Sequence, residues 1–251
     1  MSKIFLSVVI PSYNERANLQ KGVLDKVEHY LSNQKYSYEA IIVDDGSTDG
    51  STEFVEKFVK NNSKFKLIKN NHTGKAGAVT TGVLSAGGEY ILFTDMDQAT
   101  PIEELSKIFP FFEKNYDIVI GSRDSKRRGA PWTRLVMARG MMALRTILVG
   151  ISGISDTQCG FKAFRNEVAK KLFEKISKIN KGFAEVYGSK VSAGFDVELL
   201  YLAQKMGYKI KEVPVSWLYV ETRRVNPIKD SIDGLVGLIK IKMNTLSGVY
   251  K

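Results

Sequence analysis

Short apolar runs alternate along the first half of this chain with stretches whose apolar residues recur three or four positions apart. Phe5-Leu-Ser-Val-Val-Ile10 predicts a strand, closed by Pro11. Leu19, Val23, Val27 and Leu31, with Tyr30, then follow at helical spacing. Glu39-Ala-Ile-Ile-Val43 predicts a second strand, running into Asp44-Asp45-Gly46-Ser47. Thr48 or Asp49 is placed to cap a helix carrying Phe54, Val55, Phe58 and Val59. Phe65 to Ile68, Tyr90 to Thr94 and Asp117 to Ile120 predict three more strands, with helices over Ala76 to Ala86 and Ile102 to Phe112 between them.

The second half is less regular. Arg134 to Ile151 predicts a helix, Thr157 to Phe164 a short strand or loop, Phe195 to Met206 a helix and Lys209 to Val215 a strand. Ile228, Ile232, Leu235, Val236, Ile239, Met243 and Leu246 form a helical stripe in the tail. Strands alternating with helices imply an α/β layered fold with a mainly parallel sheet.

Ligands of such sheets bind beyond the carboxyl ends of the strands. Four predicted strand ends carry polar chemistry: Pro11 to Glu15, Asp44-Asp45, Asp95-Met96-Asp97 and Gly121-Ser122-Arg123. In an extended chain the side chains of Asp95 and Asp97 share one side. Two adjacent carboxylates repel unless a cation or a proton relieves them. Hard oxygen ligands suit Mg²⁺ or Mn²⁺ holding a diphosphate. The plainer alternative for Asp-x-Asp is a solvated acidic turn. No Gly-x-Gly-x-x-Gly follows the first strand, and Gly74-Lys75 lacks the P-loop spacing.

Composition narrows this further. At 251 residues the chain can bury a substantial core. One cysteine, Cys159, excludes an intramolecular disulfide, and only His29 and His72 are present, so a His/Cys zinc site is not expected. No apolar stretch approaches the length of a spanning helix, and the start does not read as a signal peptide. The formal net charge of +10 points to anionic partners. Arg123, Arg127, Arg128, Arg134, Arg139 and Arg145 cluster without any nucleic-acid-binding motif. Phosphate groups of a substrate or lipid are therefore expected, and no nucleic acid.

The motifs Val8-Val-Ile-Pro-Ser-Tyr-Asn-Glu15, Val43-Asp-Asp-Gly-Ser-Thr-Asp49, Gly74-Lys-Ala-Gly77, Asp95-Met-Asp97, Gly121-Ser-Arg123, Asp156-Thr-Gln-Cys-Gly-Phe-Lys162, Phe195-Asp-Val-Glu198 and Glu212-Val-Pro-Val215 occur in that order. As a set they resemble family 2 glycosyltransferases of the GT-A fold, and more narrowly the polyprenyl-phosphate glucose and mannose synthases. The resemblance spans about residues 4 to 225. It implies a Rossmann-like, mainly parallel sheet flanked by helices over 1–225. Residues 226–251 would form a C-terminal amphipathic helix that lies on a membrane surface or packs on the core.

The resemblance also implies roles. Pro11, Tyr13, Glu15, Asp44, Lys75 and Asp95 would bind the nucleotide sugar, with Asp44 accepting from a base N3–H. Asp97, with Asp95, would hold Mg²⁺ or Mn²⁺. Arg123 and Arg139 would hold phosphate groups, and Asp196 occupies the family's catalytic-base position. Asp156 and Gln158 would lie on the acceptor side, and Arg223 and Arg224 would meet the lipid phosphate. Ala99-Thr100 after the acidic pair resembles glucose rather than mannose synthases. The implied reaction is inverting transfer of a hexose from a nucleotide diphosphate, UDP favoured and GDP possible, to polyprenyl or dolichyl phosphate. The place would be the cytoplasmic face of a membrane, reached without the N-terminal membrane helix of the eukaryotic glucose synthases. Two rivals remain at this point: transfer to a saccharide hydroxyl, and a non-catalytic sugar-nucleotide-binding subunit. Asp45 and Asp49 are expected to stabilise their turn, Arg134 and Arg145 to be surface or headgroup residues, Cys159 to be a packed thiol and Glu198 to pair locally. Lys162 is divided between substrate contact and solvent.

Overall fold

The structure, a computed structural model, describes residues 3–123, 140, 144–183, 194–218 and 227–251. Among these, strands β1 (Leu6–Ser12), β2 (Tyr38–Asp44), β3 (Phe65–Lys69), β4 (Tyr90–Thr94), β5 (Ile118–Arg123), β6 (Phe161–Arg165) and β7 (Ile210–Val215) form one sheet in the order β3-β2-β1-β4-β6-β5-β7. β1 pairs in parallel with β2 and β4, β2 with β3, and β5 with β7. β6 runs antiparallel to both neighbours, β4 and β5. It therefore starts where its neighbours end, so the residues just before Phe161 lie at the same edge as Asp95-Asp97 and Arg123.

Alternation along β1 sorts the core into two layers. Leu6, Val8 and Ile10 pack with the helices α1 (Arg16–Gln20) and α2 (Val23–Ser32), and Val9 packs on the opposite face. The second layer holds α4 (Gly74–Ser85), α6 (Asn166–Ile179) and α7 (Phe195–Lys205); α3 (Ser51–Asn61) flanks β3. This is a helix–sheet–helix sandwich, as the strand–helix alternation predicts.

Three predicted elements differ in detail. The first helix is two, parted at Gly22, whose φ of 72° lies where only glycine sits without strain. The helix expected over Ile102 to Phe112 is a 3₁₀ turn, Ile102–Lys107, followed by α5 (Phe109–Glu113). Pro110 supplies no N–H and is tolerated only in the first turn of a new helix. Helix α6 has no counterpart in the predicted elements, although Val168, Ala169, Leu172, Phe173 and Ile176 make its buried stripe.

The tail forms α8, Pro227–Leu246. Leu238, Ile241 and the following Tyr250 are buried against the second layer. The predicted stripe does not pack there: Ile232, Val236, Ile239, Met243 and Leu246 are exposed, Leu246 by 77%. No helix among the described residues is long and apolar enough to cross a membrane.

Candidate functional site

The end of β1 turns sharply at Asn14, whose φ is 53°. Asn14 Oδ1 accepts from the Thr48 N–H at 2.8 Å, and the Asn14 N–H donates to Ser47 Oγ at 2.9 Å. The β1 and β2 loops are thus tied together. The strand runs one residue past Pro11, which is half-buried, and ends at the buried Ser12; Tyr13 is half-buried, and Glu15 accepts from Asn18 Nδ2 at 2.6 Å.

Asp44 is buried at the end of β2. It accepts from Ser47 Oγ at 2.6 Å and Thr52 Oγ1 at 2.8 Å. Asp45 receives the Thr73 and Gly74 N–H groups at 2.9 and 2.7 Å and so holds the start of α4. Its carbonyl and carboxylate also bond His72 Nδ1, at 2.9 and 3.0 Å. Two acceptors on one ring nitrogen require the proton on Nδ1. The His72 ring stacks on Tyr13 with centroids 4.2 Å apart, so the loop after β1 is joined through His72 to Asp45. Asp49 accepts from the Ser51 and Arg16 N–H groups, both at 3.0 Å. Asp49 stabilises its turn, as expected, whereas Asp45 does not serve that turn and instead fixes the segment 72–74.

At the end of β4, Met96 is buried while Asp95 and Asp97 are half-exposed. Lys75, in the first turn of α4, reaches Asp95 Oδ1 at 2.5 Å. Asp97 Oδ1 accepts from the Ala99 N–H at 3.0 Å. Gly160, just before β6, faces this pair: a Cβ there would lie 1.9 Å from Asp95 Oδ2. The reversed strand thus brings Gly160 against Asp95, and glycine is the residue that leaves room.

Beyond β4 the contacts are long-range. Arg123 grips Asp156 through Nε and Nη2 at 2.7 and 2.8 Å, and its N–H adds 3.1 Å. Burial would raise the Asp156 carboxyl, but the Arg123 guanidinium outweighs it and holds the group below the usual carboxylate range. Burial likewise opposes the charge on Arg123, and Asp156 more than restores it; Asp196 contributes too and so lies within electrostatic reach. Glu212 on β7 anchors the same loop, accepting from the Ser155 and Asp156 N–H groups at 2.9 and 2.6 Å. Gln158 is exposed, its N–H donating to Asp156 Oδ1 at 3.1 Å.

Two further expectations need correcting. Arg145 is not a surface residue: it is buried in a helical segment over 144–149, donating to Thr157 Oγ1 at 3.1 Å and to the Ile154 carbonyl. Burial pushes its guanidinium below the ordinary arginine value. The loop's carbonyls drew this cation inward. Lys162 meets no solvent at all: it is fully buried, and its Nζ contacts Asp196 Oδ1 and the Cys159 carbonyl, each at 2.6 Å. Cys159 is a packed thiol, pushed up by burial and touching Thr100 Oγ1 at 3.7 Å. Glu198 pairs away from Asp196, with Tyr250 OH and with Asn180 Nδ2 at 3.1 Å. Arg134, Arg139, Arg223 and Arg224 lie outside the described residues.

Sequence reasoning gave no role to Gly160, His72 or Glu212. Lys162 carried a usable signal, a charge within the apolar run Phe161–Arg165. The others are set by distant partners that nothing local reveals.

The donor set fits a hard divalent cation. Asp95 and Asp97 offer carboxylate oxygens at one strand end, and no cluster of three or more candidate ligands exists among the described residues. An ion there would draw its remaining oxygens from substrate phosphates and water, the usual pattern for Mg²⁺.

The sheet with its one reversed strand and this strand-end acidic pair define a GT-A glycosyltransferase. Solved structures agree in fold. Mannosyl-3-phosphoglycerate synthase from Rubrobacter xylanophilus aligns with a TM-score of 0.68 at 14% identity, covering 98% of this chain and 74% of that one. The mannosyltransferase PcManGT from Pyrobaculum calidifontis aligns at 0.56 and 16%, covering 97% and 74%. The glycosyl transferase family 2 profile matches residues 7–173, and the chain belongs to that family. It is also similar to the dolichyl-phosphate beta-glucosyltransferases of Dictyostelium discoideum (33% identical, 100% of this chain and 78% of that one) and Homo sapiens (31%, 98% and 77%).

Proposed function

We propose that this enzyme transfers a glucosyl unit, with inversion, from UDP-glucose to the phosphate of a dolichol or other polyprenol. The observation that carries the reading is the likeness to dolichyl-phosphate beta-glucosyltransferases. At 31–33% identity it runs over 98–100% of the chain, through the strand-end acids, Asp196 and the tail.

The geometry suits this chemistry. The Tyr13–His72 pair and Asp44 offer a stacking surface and an acceptor for a base. Lys75 sits on Asp95, where it can neutralise a diphosphate. A divalent cation at Asp95 and Asp97 would supply charge neutralisation to the departing diphosphate; PcManGT was solved in complex with GDP-Man and Mn²⁺. A phosphate nucleophile is already ionised near pH 7, so no strong general base is needed. Asp196, with one oxygen engaged by Lys162, fits that requirement better than it fits deprotonation of a sugar hydroxyl.

The exposed apolar face of α8 supports the lipid acceptor. Ile232, Val236, Ile239, Met243 and Leu246 recur at helical spacing on its outer side, with Lys240 and Lys242 on the same helix. Such a helix lies in the membrane interface and favours anionic lipid. Cytoplasmic-face attachment is part of this proposal.

The test is radiolabelled UDP- and GDP-sugars offered with polyprenyl phosphate in anionic vesicles and Mg²⁺ or Mn²⁺. Label from UDP-glucose should enter the organic phase and vanish with EDTA. Label found only on soluble saccharide would overturn the reading, and turnover in EDTA would remove the metal from it.

A further inference from the structure

The position of Lys162 is unexpected for a lysine. It stands in the middle of the sheet, paired in register with Phe93 on one side and Ile120 on the other. Along β6, Phe161 and Ala163 face the α2 layer, while Lys162 and Phe164 face the layer containing Phe93, Ile120 and α7. Pattern alone would put Leu, Met or Phe there. Instead an ammonium that is 0% exposed sits 5.1 Å from the centre of the Phe93 ring.

Such burial is costly, and its partners are few. Nζ meets Asp196 Oδ1 and the Cys159 carbonyl, both at 2.6 Å. A buried ion pair adds little stability compared with apolar residues of like volume, and replacing one is often neutral. Stability therefore gives no reason for a charge at this point. Location does. Cys159 precedes Gly160, which lies against Asp95, and Asp196 opens α7 with 14% of its side chain exposed. Lys162 is thus the link between the loop at the acidic pair and the carboxylate on α7.

We propose that Lys162 is a positioning residue. It fixes Asp196 at the site and cancels its charge, so that an anionic phosphate acceptor can approach a carboxylate that would otherwise repel it. Asp196 then orients the acceptor and takes no proton. This rests on the phosphate-acceptor reading, and the two can fail separately.

The experiment compares wild type, Lys162→Met, Lys162→Gln, Asp196→Asn and the Lys162→Met/Asp196→Asn double variant. It measures thermal midpoint, UDP affinity by calorimetry, and kcat and KM for each substrate with polyprenyl phosphate as acceptor. Lys162→Met leaves Asp196 without its partner and should lower the thermal midpoint, but the variant should stay folded with unchanged UDP affinity, and should lower kcat/KM for the lipid phosphate by about 10²-fold, the loss typical of a misplaced reacting group. Gln, which can still bond Asp196 but carries no charge, should lose nearly as much. The double variant should be no worse than the poorer single, because the two groups act as one unit. Wild-type kcat/KM in Lys162→Met, losses that multiply in the double variant, or collapse of the fold in both Lys162 variants would each overturn the proposal. A wild-type enzyme that ignores polyprenyl phosphate would instead overturn the acceptor reading.

Discussion

The two halves of the site are built by different means. Around β1, β2 and β4, most carboxylates are held by uncharged loop donors: Asp44 by Ser47 and Thr52, Asp49 by Ser51, Asp97 by the Ala99 N–H; Asp95, paired with Lys75, is the exception. Around β5, β6 and β7, they are held by charges far away in sequence: Asp156 by Arg123, Asp196 by Lys162. Turn bonds fix these carboxylates with neutral donors, leaving their charge uncancelled. Ion pairs largely shielded from water tie a loop down and neutralise it. On the proposed reading the first half is the donor side, and the second is the acceptor side, a frame whose charges are already matched.

Breaking that frame should produce the largest effect. Asp156→Asn leaves the half-buried Arg123 without its counter-charge; a fully buried pair would lose about 3–5 kcal/mol, and the partial exposure of this one brings the expected loss to about 2–3 kcal/mol. Urea unfolding should show it. The pH dependence has a definite sign. The folded Asp156 carboxyl lies below its unfolded value, so its stabilisation is present above about pH 4 and is lost as pH falls through the lower, folded value. Wild type should therefore lose stability faster than Asp156→Asn below about pH 4. Parallel curves would mean that the pair contributes nothing.

On the donor side the largest loss should be catalytic. Asp97→Asn should keep the thermal midpoint yet lower kcat by about 10²–10³, the range for one preorganised electrostatic group. A midpoint drop that accounts for the lost activity would show that Asp97, like Asp156, serves the frame.

The same contrast explains what the sequence revealed. The donor side was legible because each motif sits at the end of a periodic strand, and strand ends are where such sheets bind ligands. Asp95-Met96-Asp97 needed only the two-residue period. The acceptor side was legible as motifs but not as geometry. Arg145 read as a surface cation because its partners are the Ile154 and Ser155 carbonyls and the Thr157 hydroxyl, neutral groups that no charge pattern announces. Lys162 was undecided because Asp196 becomes its neighbour only once β6 reverses beneath α7. The reversal itself has no local signal, since a strand's direction is set by its partners. The α8 stripe was legible, but whether it faced core or solvent depended on Leu238, Ile241 and Tyr250 taking the core side.

A smaller effect separates ligand contact from turn formation. Asp44→Ala should weaken UDP binding by about 1.5–3 kcal/mol, the value for a hydrogen bond to a charged group. Calorimetry with UDP alone isolates this from acceptor and metal. Unchanged affinity would leave Asp44 as a buried acceptor for Ser47 and Thr52 only.

The smallest effect belongs to Asp49, two residues beyond that turn. Its carboxylate looks equally available to a substrate, being exposed, but its bonds run to the Ser51 N–H and Oγ and to the Arg16 N–H. Burial is the largest single influence and works against its charge, but these donors together more than offset it, drawing the carboxyl below its ordinary value. Because the group is exposed, that shift converts to little stability. The loss expected for Asp49→Ala is that of a helix-start acceptor, about 1 kcal/mol. It should appear in urea unfolding and be absent from UDP calorimetry. Asp44 and Asp49 thus make opposite forecasts from one loop: affinity lost for the first, stability lost for the second. If Asp49→Ala weakened UDP binding as much as Asp44→Ala, the donor loop would act as a single cooperative ligand, and the division between its binding and structural carboxylates would fail.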